Sequence, residues 1–126
     1  KLRTSADFFS LLQPTSPLRT YIDIIKFHKF INKSNYNSAV TISILKNKAS
    51  PEYSLKNDYS LIKIKNKKYT KSQIYFLNGS IYYNDIRSFL KYEKFIFRYT
   101  KGFKMSKKRS IDIDTYEDLF KSLKVI

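Results

Sequence analysis

Two prolines three positions apart, Pro14 and Pro17 in "LLQPTSPLRT" (11–20), constrain the fold most. Proline donates no backbone hydrogen bond and drives the residue before it out of the helical region. This stretch can therefore continue neither a helix nor a central strand. It must be a loop, and the segments on either side must be separate elements. Before it, "DFFSLLQ" (7–13) is a short apolar run ending on a polar residue, as a buried strand reaching a surface would. After it, Tyr21, Ile24, Ile25, His28 and Ile31 recur at helical spacing, opposite a stripe of Asp23, Lys26, Lys29 and Lys33. Thr20 and Asp23 resemble a capping box with Asp in place of Glu or Gln, so a helix is expected over 20–33. His28 lies near the apolar side and reads as a packed or edge residue. The β-branched run "SAVTISIL" (38–45) is expected to be a strand. Strand, loop, helix, strand is a βαβ unit, which implies a parallel pair and a right-handed crossover.

Residues 46–76 differ in pattern. "YSLKNDYSLIKIKNKKYTKSQIYF" reads as short alternating strands with turns at Asn57-Asp58 and Asn66. Lys63 and Lys65 are expected on one face there, with Ile62 and Ile64 on the other. The segment looks like a hairpin excursion from an α/β core. Farther on, "GSIYY" (79–83) and "KFIFRYT" (94–100) read as strands. "NDIRSFLKY" (84–92) reads as a short helix started by Asn84 or Asp85. "SIDID" (110–114) reads as a strand and "TYEDLFKSLKVI" (115–126) as a helix capped by Thr115 with Asp118. At 126 residues the whole is one domain with a real core.

The chain carries 25 Lys and Arg against 10 Asp and Glu, a net charge of +15. Such a balance predicts an anionic partner, although abundant Lys also serves as ordinary solvated surface. A basic, non-catalytic binding module for nucleic acid or acidic surfaces is the alternative reading, motivated by the Lys63–Lys71 run and eleven tyrosines. The tyrosines, however, fall mostly in strand-like apolar runs, and no aromatic RNA-binding signature appears, so no specific nucleic acid is expected. The absence of cysteine excludes disulfides and thiolate metal sites, and a lone histidine cannot build a histidine-rich cluster. No apolar run approaches a membrane span and no signal-peptide pattern opens the chain, so no membrane partner is expected. The first residue is Lys rather than Met, which leads us to expect a processed, trimmed or partial chain.

Four of the ten acidic residues, Asp112, Asp114, Glu117 and Asp118, crowd into "RSIDIDTYEDL" (109–119). Glu117 and Asp118 are explained by the first turn of a helix, where negative charge offsets the dipole. Asp112 and Asp114 precede the helix at i, i+2 spacing. On a strand both would share one face, with Ile111 and Ile113 opposite. Two neighbouring carboxylates repel unless a cation or proton intervenes. Oxygen-only ligands suit Mg²⁺ bridging to phosphate, and the C-terminal end of a strand in an α/β sheet is where ligands bind. As a bare pattern, D-x-D equally fits a pair salt-bridged to Arg109 or Lys108.

"LLQPTSPLRT" (11–20), "NGSIYY" (78–83) and "RSIDIDTYEDL" (109–119), in this order, resemble the acylneuraminate cytidylyltransferases (CMP-sialic acid or CMP-nonulosonate synthetases). The resemblance implies a Rossmann-like α/β nucleotidyltransferase sandwich with a mostly parallel sheet, represented here by its C-terminal part. It also implies transfer of CMP from CTP to a sialic acid-like nonulosonic acid with release of pyrophosphate, Mg²⁺ dependence and a cytoplasmic location. On that likeness Asp112 and Asp114 are the Mg²⁺-holding catalytic carboxylates, while Gln13, Asn78 and Tyr82 lie on the sugar side. Lys56 and Lys68 are the counterparts of basic residues near the sugar; the family often has Arg where Lys68 stands. Segment 46–76 corresponds to the family's dimerisation excursion, implying a homodimer. The Gly-containing loop that cradles CTP phosphates at the front of family members has no counterpart here, so this chain alone is expected to be inactive.

Overall fold

The computed structural model describes residues 6–66 and 72–126. Among these, β1 (Phe8–Leu12), α1 (Tyr21–Ser34), β2 (Ser38–Ser43), β3 (Glu52–Leu55), β4 (Leu61–Lys63), β5 (Tyr75–Asp85), α2 (Ile86–Tyr92), β6 (Lys101–Lys104) and α3 (Tyr116–Leu123) follow in order, with a 3-10 turn at Lys107–Arg109. The strands form one open sheet in the order β4-β3-β5-β2-β6, and β1 also pairs with β5.

The mostly parallel sheet expected from the sequence is corrected. Strand β5 runs antiparallel to β1, β2 and β3, and β3 to β4; among the described strands only β2 and β6 are parallel. A five-residue connection between β3 and β4 forces a hairpin, and hairpins are antiparallel. The βαβ reading of β1, α1 and β2 is half right. Both strands oppose β5, so they share a direction, but β5 lies between them. Strand β1 is also less buried than expected. It pairs only with β5 among the described strands, and Phe8 and Leu12 are exposed.

The 46–76 segment is not outside the core. Glu52 and Tyr53 pair with Phe76 and Tyr75, so β3 and β4 extend the main sheet. The turn at Asn57-Asp58 forms as expected: Asp58 Oδ1 accepts from the Ser60 amide at 3.1 Å, and the Tyr59 amide donates to Lys56 O at 3.0 Å. Lys63 and Lys65 are exposed as expected, but Ile62 is exposed too, and the buried residue of β4 is Leu61. Two further expected strands do not form. Residues 94–100 make a turn closed by Thr100, whose amide donates to Phe97 O at 3.1 Å and whose hydroxyl accepts from the Phe97 amide at 2.7 Å. The alternating aromatics are spent on packing instead, with Phe95 set against Phe9, Phe89 and Tyr82. Residues 110–114 join no strand ladder.

Each sheet face carries its own core. Phe27 and Ile31 of α1 cover Ala39 and Ile81 on one face. Val40, Ile42, Tyr53 and Leu61 pack on the other, joined by Leu77 and Tyr82. Leu77 and Tyr82 are five apart yet share a face, which an unbroken strand forbids. The register between β2 and β5 shifts between Val40, opposite Tyr82, and Ile42, opposite Leu77. That irregularity, at Asn78-Gly79-Ser80, is where the candidate site lies.

Candidate functional site

Thr41 fills the gap in the ladder. Its hydroxyl accepts from the Ile81 amide at 2.9 Å and donates to Asn78 Oδ1 at 2.7 Å. Asn78 Oδ1 also accepts from the Ser80 amide at 3.2 Å, and Asn78 Nδ2 donates to Ser110 Oγ at 3.0 Å. The Asn78 side chain is thus buried and fully engaged inside the protein. It shapes the bulge and does not line an open surface.

This shape places Gly79 in the left-handed region, at φ 69°. A Cβ there would lie 2.5 Å from Asp112 Oδ2 and 2.7 Å from Gln13 Oε1. Glycine is required twice over, by conformation and by space. Two acceptor oxygens from segments a hundred residues apart therefore converge over one bare stretch of backbone. The other carboxyl oxygen, Asp112 Oδ1, is buried and has no hydrogen-bond partner among the described residues, although the Thr15 side chain hydrogen-bonds the carboxyl group.

Three fastenings hold Gln13 and Asp112 in place. Arg19 Nη1 donates to Gln13 O at 3.0 Å and to Ser80 O at 2.8 Å, tying the proline loop to β5. The Ile113 amide donates to Thr15 O at 2.8 Å, tying the carboxylate segment to the same loop. Arg109 grips Asp23 with Nε 2.9 Å from Oδ2 and Nη2 2.9 Å from Oδ1, tying that segment to the start of α1. Arg109 therefore does not neutralise Asp112 or Asp114.

Burial raises the Asp112 carboxyl above the ordinary range; the Thr15 side chain opposes this, and the charges of Asp114 and Asp118 add to it. Burial also raises the Tyr82 phenol, followed by the charge of Asp112 and then Tyr53. Tyr82 is therefore neutral at pH 7 and within electrostatic reach of Asp112. Asp114 stands on the exposed side. The two aspartates lie in an irregular segment at different depths, and Asp112 feels the charge of Asp114.

The structure thus brings Gln13, Tyr82, Asp112 and Asp114 into one region, with Asn78 beneath it. Lys56 is elsewhere, in a shallow depression of about 270 Å³ beside Lys104, Tyr75 and Gln73, none of which belongs to the Gly79 cluster. Lys68 lies outside the described residues. Among the described residues no group of three or more His, Cys, Asp or Glu side chains could enclose a metal. Mg²⁺ does not need such a cage, since it is commonly held by one or two carboxylates and completed by phosphate and water. Converging acceptors with an unpartnered buried carboxylate oxygen fit a cation of that kind. Thr15, Arg19, Thr41, Gly79 and Ser110 were not singled out from the sequence. Four of them stand inside the quoted motifs, where proximity to Gln13, Asn78 and Asp112 was the available signal, whereas Thr41 had none.

No protein-family model matches the chain. Over 123 residues it is 32% identical to the N-acylneuraminate cytidylyltransferase of Escherichia coli O18:K1:H7 (strain RS218 / NMEC). The chain is a distant, partial homologue of a cytidylyltransferase. The match covers 91% of this chain and 29% of that protein. No helix among the described residues is long and apolar enough to cross a membrane.

Proposed function

We propose that this chain forms the sugar-side and metal-side portion of a cytidylyltransferase that moves CMP from CTP to a sialic acid-like nonulosonic acid. The observation that carries the reading is the unpartnered, buried Asp112 Oδ1 beside the Gly79 cradle. Asp112 and Asp114 would hold Mg²⁺, which supplies charge neutralisation at the phosphates during nucleotidyl transfer. In the reaction the anomeric hydroxyl of the sugar acid attacks the α-phosphorus and gives up its proton, and the bond to pyrophosphate breaks. The chain's own work is to bind and orient. The bare backbone of Gly79 lets the Asp112 and Gln13 oxygens approach it closely. Gln13 offers an amide to a sugar hydroxyl, and Tyr82, kept neutral, offers a hydrogen-bond donor. Asn78 holds the bulge. Lys56 and Lys68 are proposed as point charges for the sugar carboxylate, contributed across a homodimer by the hairpin region, and the setting is cytoplasmic.

Isothermal titration of the full chain with Mg²⁺ tests the central assignment. We expect binding that Asp112→Asn abolishes and Asp114→Asn weakens. A chain that binds no Mg²⁺, or an Asp112→Asn variant that binds it unchanged, removes the metal assignment. Assay of CMP-sugar formation from CTP and an N-acylneuraminate, with the chain alone and with a chain supplying a CTP phosphate loop, tests the rest.

A further inference from the structure

We propose that Arg109 is a positioning residue, whose two-pronged grip on Asp23 sets where the Asp112 carboxylate sits. The inference rests on the reading of Asp112 given above. Asp23 is only 3% exposed, and its two oxygens accept from Arg109 at 2.9 and 3.2 Å at Nε and at 2.9 Å at Nη2. The same carboxylate accepts from the Thr20 amide at 3.0 Å and the Thr20 hydroxyl at 2.9 Å. A capping box asks only for the Thr20 amide contact and its reciprocal, the Asp23 amide donating to Thr20 Oγ1 at 3.4 Å. The arginine fork is additional.

Stability alone accounts poorly for it. Only the Asp23 end is buried, since the Arg109 side chain keeps 39% exposure, so solvent offsets much of what the pair returns, and fixing position is the better-attested use. What this pair fixes is visible in the next residues. The Ser110 hydroxyl accepts from Asn78 Nδ2 at 3.0 Å and donates to Ser106 O at 2.7 Å. The Ile113 amide is held by Thr15 O. Residues 109, 110 and 113 are thus fastened to α1, to the β5 bulge and to the proline loop in turn, and Asp112 lies between the last two. A segment with no strand partners keeps its course through these three fastenings, and only the one at Arg109 needs a planar bidentate donor. Lysine supplies the charge without the fork.

Amide hydrogen exchange on the full chain, with Arg109→Lys and Arg109→Gln, decides the matter. We expect the Ile113 amide to exchange about tenfold faster or more in both variants, equivalent to about 1.4 kcal/mol of lost local protection. The Val40 amide in β2 should keep its rate, and apparent Mg²⁺ affinity should fall in parallel with Ile113 protection. Should the unpaired Asp23 prevent folding, D23N/R109Q keeps a neutral hydrogen-bonding pair and answers the same question. Unchanged exchange at Ile113 overturns the proposal. Equal acceleration at Ile113 and Val40 overturns it too, because the pair would then stabilise the fold without placing Asp112. If the unaltered chain binds no Mg²⁺, the functional reading fails on its own, and the exchange comparison still decides the role of Arg109.

Discussion

Helices α1 and α3 begin with the same four-residue device and end in different circumstances. Thr20-x-x-Asp23 and Thr115-x-x-Asp118 both close complete capping boxes. Around Asp23 the chain adds Arg109, and Phe27 and Ile31 of the helix sink into the core. Around Asp118 nothing comparable gathers among the described residues. Lys121 lies 3.9 Å away, and the stripe of Tyr116, Leu119, Phe120 and Leu123 faces solvent. The shared device starts a helix; it does not decide what the helix covers. Local chemistry sets the element, and long-range partners set its energetic weight.

Four substitutions measure that difference. Phe27→Ala should cost the most, about 3–5 kcal/mol in chemical denaturation, because it empties a site that is 0% exposed. Asp23→Ala comes next, at about 1–2 kcal/mol, since it removes a cap and the Arg109 partner, while the exposed Arg109 charge that remains is solvated. Its effect should depend on pH. Burial would raise the Asp23 carboxyl, but the hydrogen bonds from Arg109 and Thr20 outweigh it and hold the group below the ordinary aspartate range. The stabilisation is therefore complete above that range and is lost as pH falls through the lowered value. An acid titration of stability should show wild type and Asp23→Asn converging there. Asp118→Ala should cost only about 0.5–1 kcal/mol, the ordinary value of a cap. Phe120→Ala, at a side chain 63% exposed, should move stability by no more than about 0.5 kcal/mol. A large loss for Phe120→Ala would mean that α3 is covered in solution.

What the sequence made legible follows the same division. Both capping boxes were readable because each joins residues three apart, and both form; the α2 cap was narrowed to Asn84 or Asp85, and it is Asp85. Direction within the sheet was not readable. The insertion of β5 between β1 and β2 depends on pairing Leu12 with Ile81, which no local pattern records. Residues 94–100 and 110–114 have strand-like alternation, but alternation states which side chains are buried, not whether a neighbouring strand exists to pair with. The candidate site was legible in its ends, Gln13 and Asp112, and not in its supports. Arg109 was weighed as a partner for the nearby aspartates, whereas it reaches back 86 residues to Asp23. Asn78 was read as a contact residue from its motif, and its commitment to Thr41 and Ser110 appears only once three distant segments are packed together.

The long strand β5 also dictates an order of events during synthesis. The strand β1 pairs with no other described strand, and β2 pairs only with β5 and β6. Everything from Phe8 to Ser43 therefore leaves the ribosome before either face of the sheet can close. The amphipathic α1 must wait, its apolar stripe uncovered, until Asp85 has emerged. Sheets that depend on such late, distant pairing fold slowly and expose apolar surface meanwhile. The excess of positive charge, of little use in explaining the architecture, is of the kind that keeps copies of a chain soluble and apart through mutual repulsion.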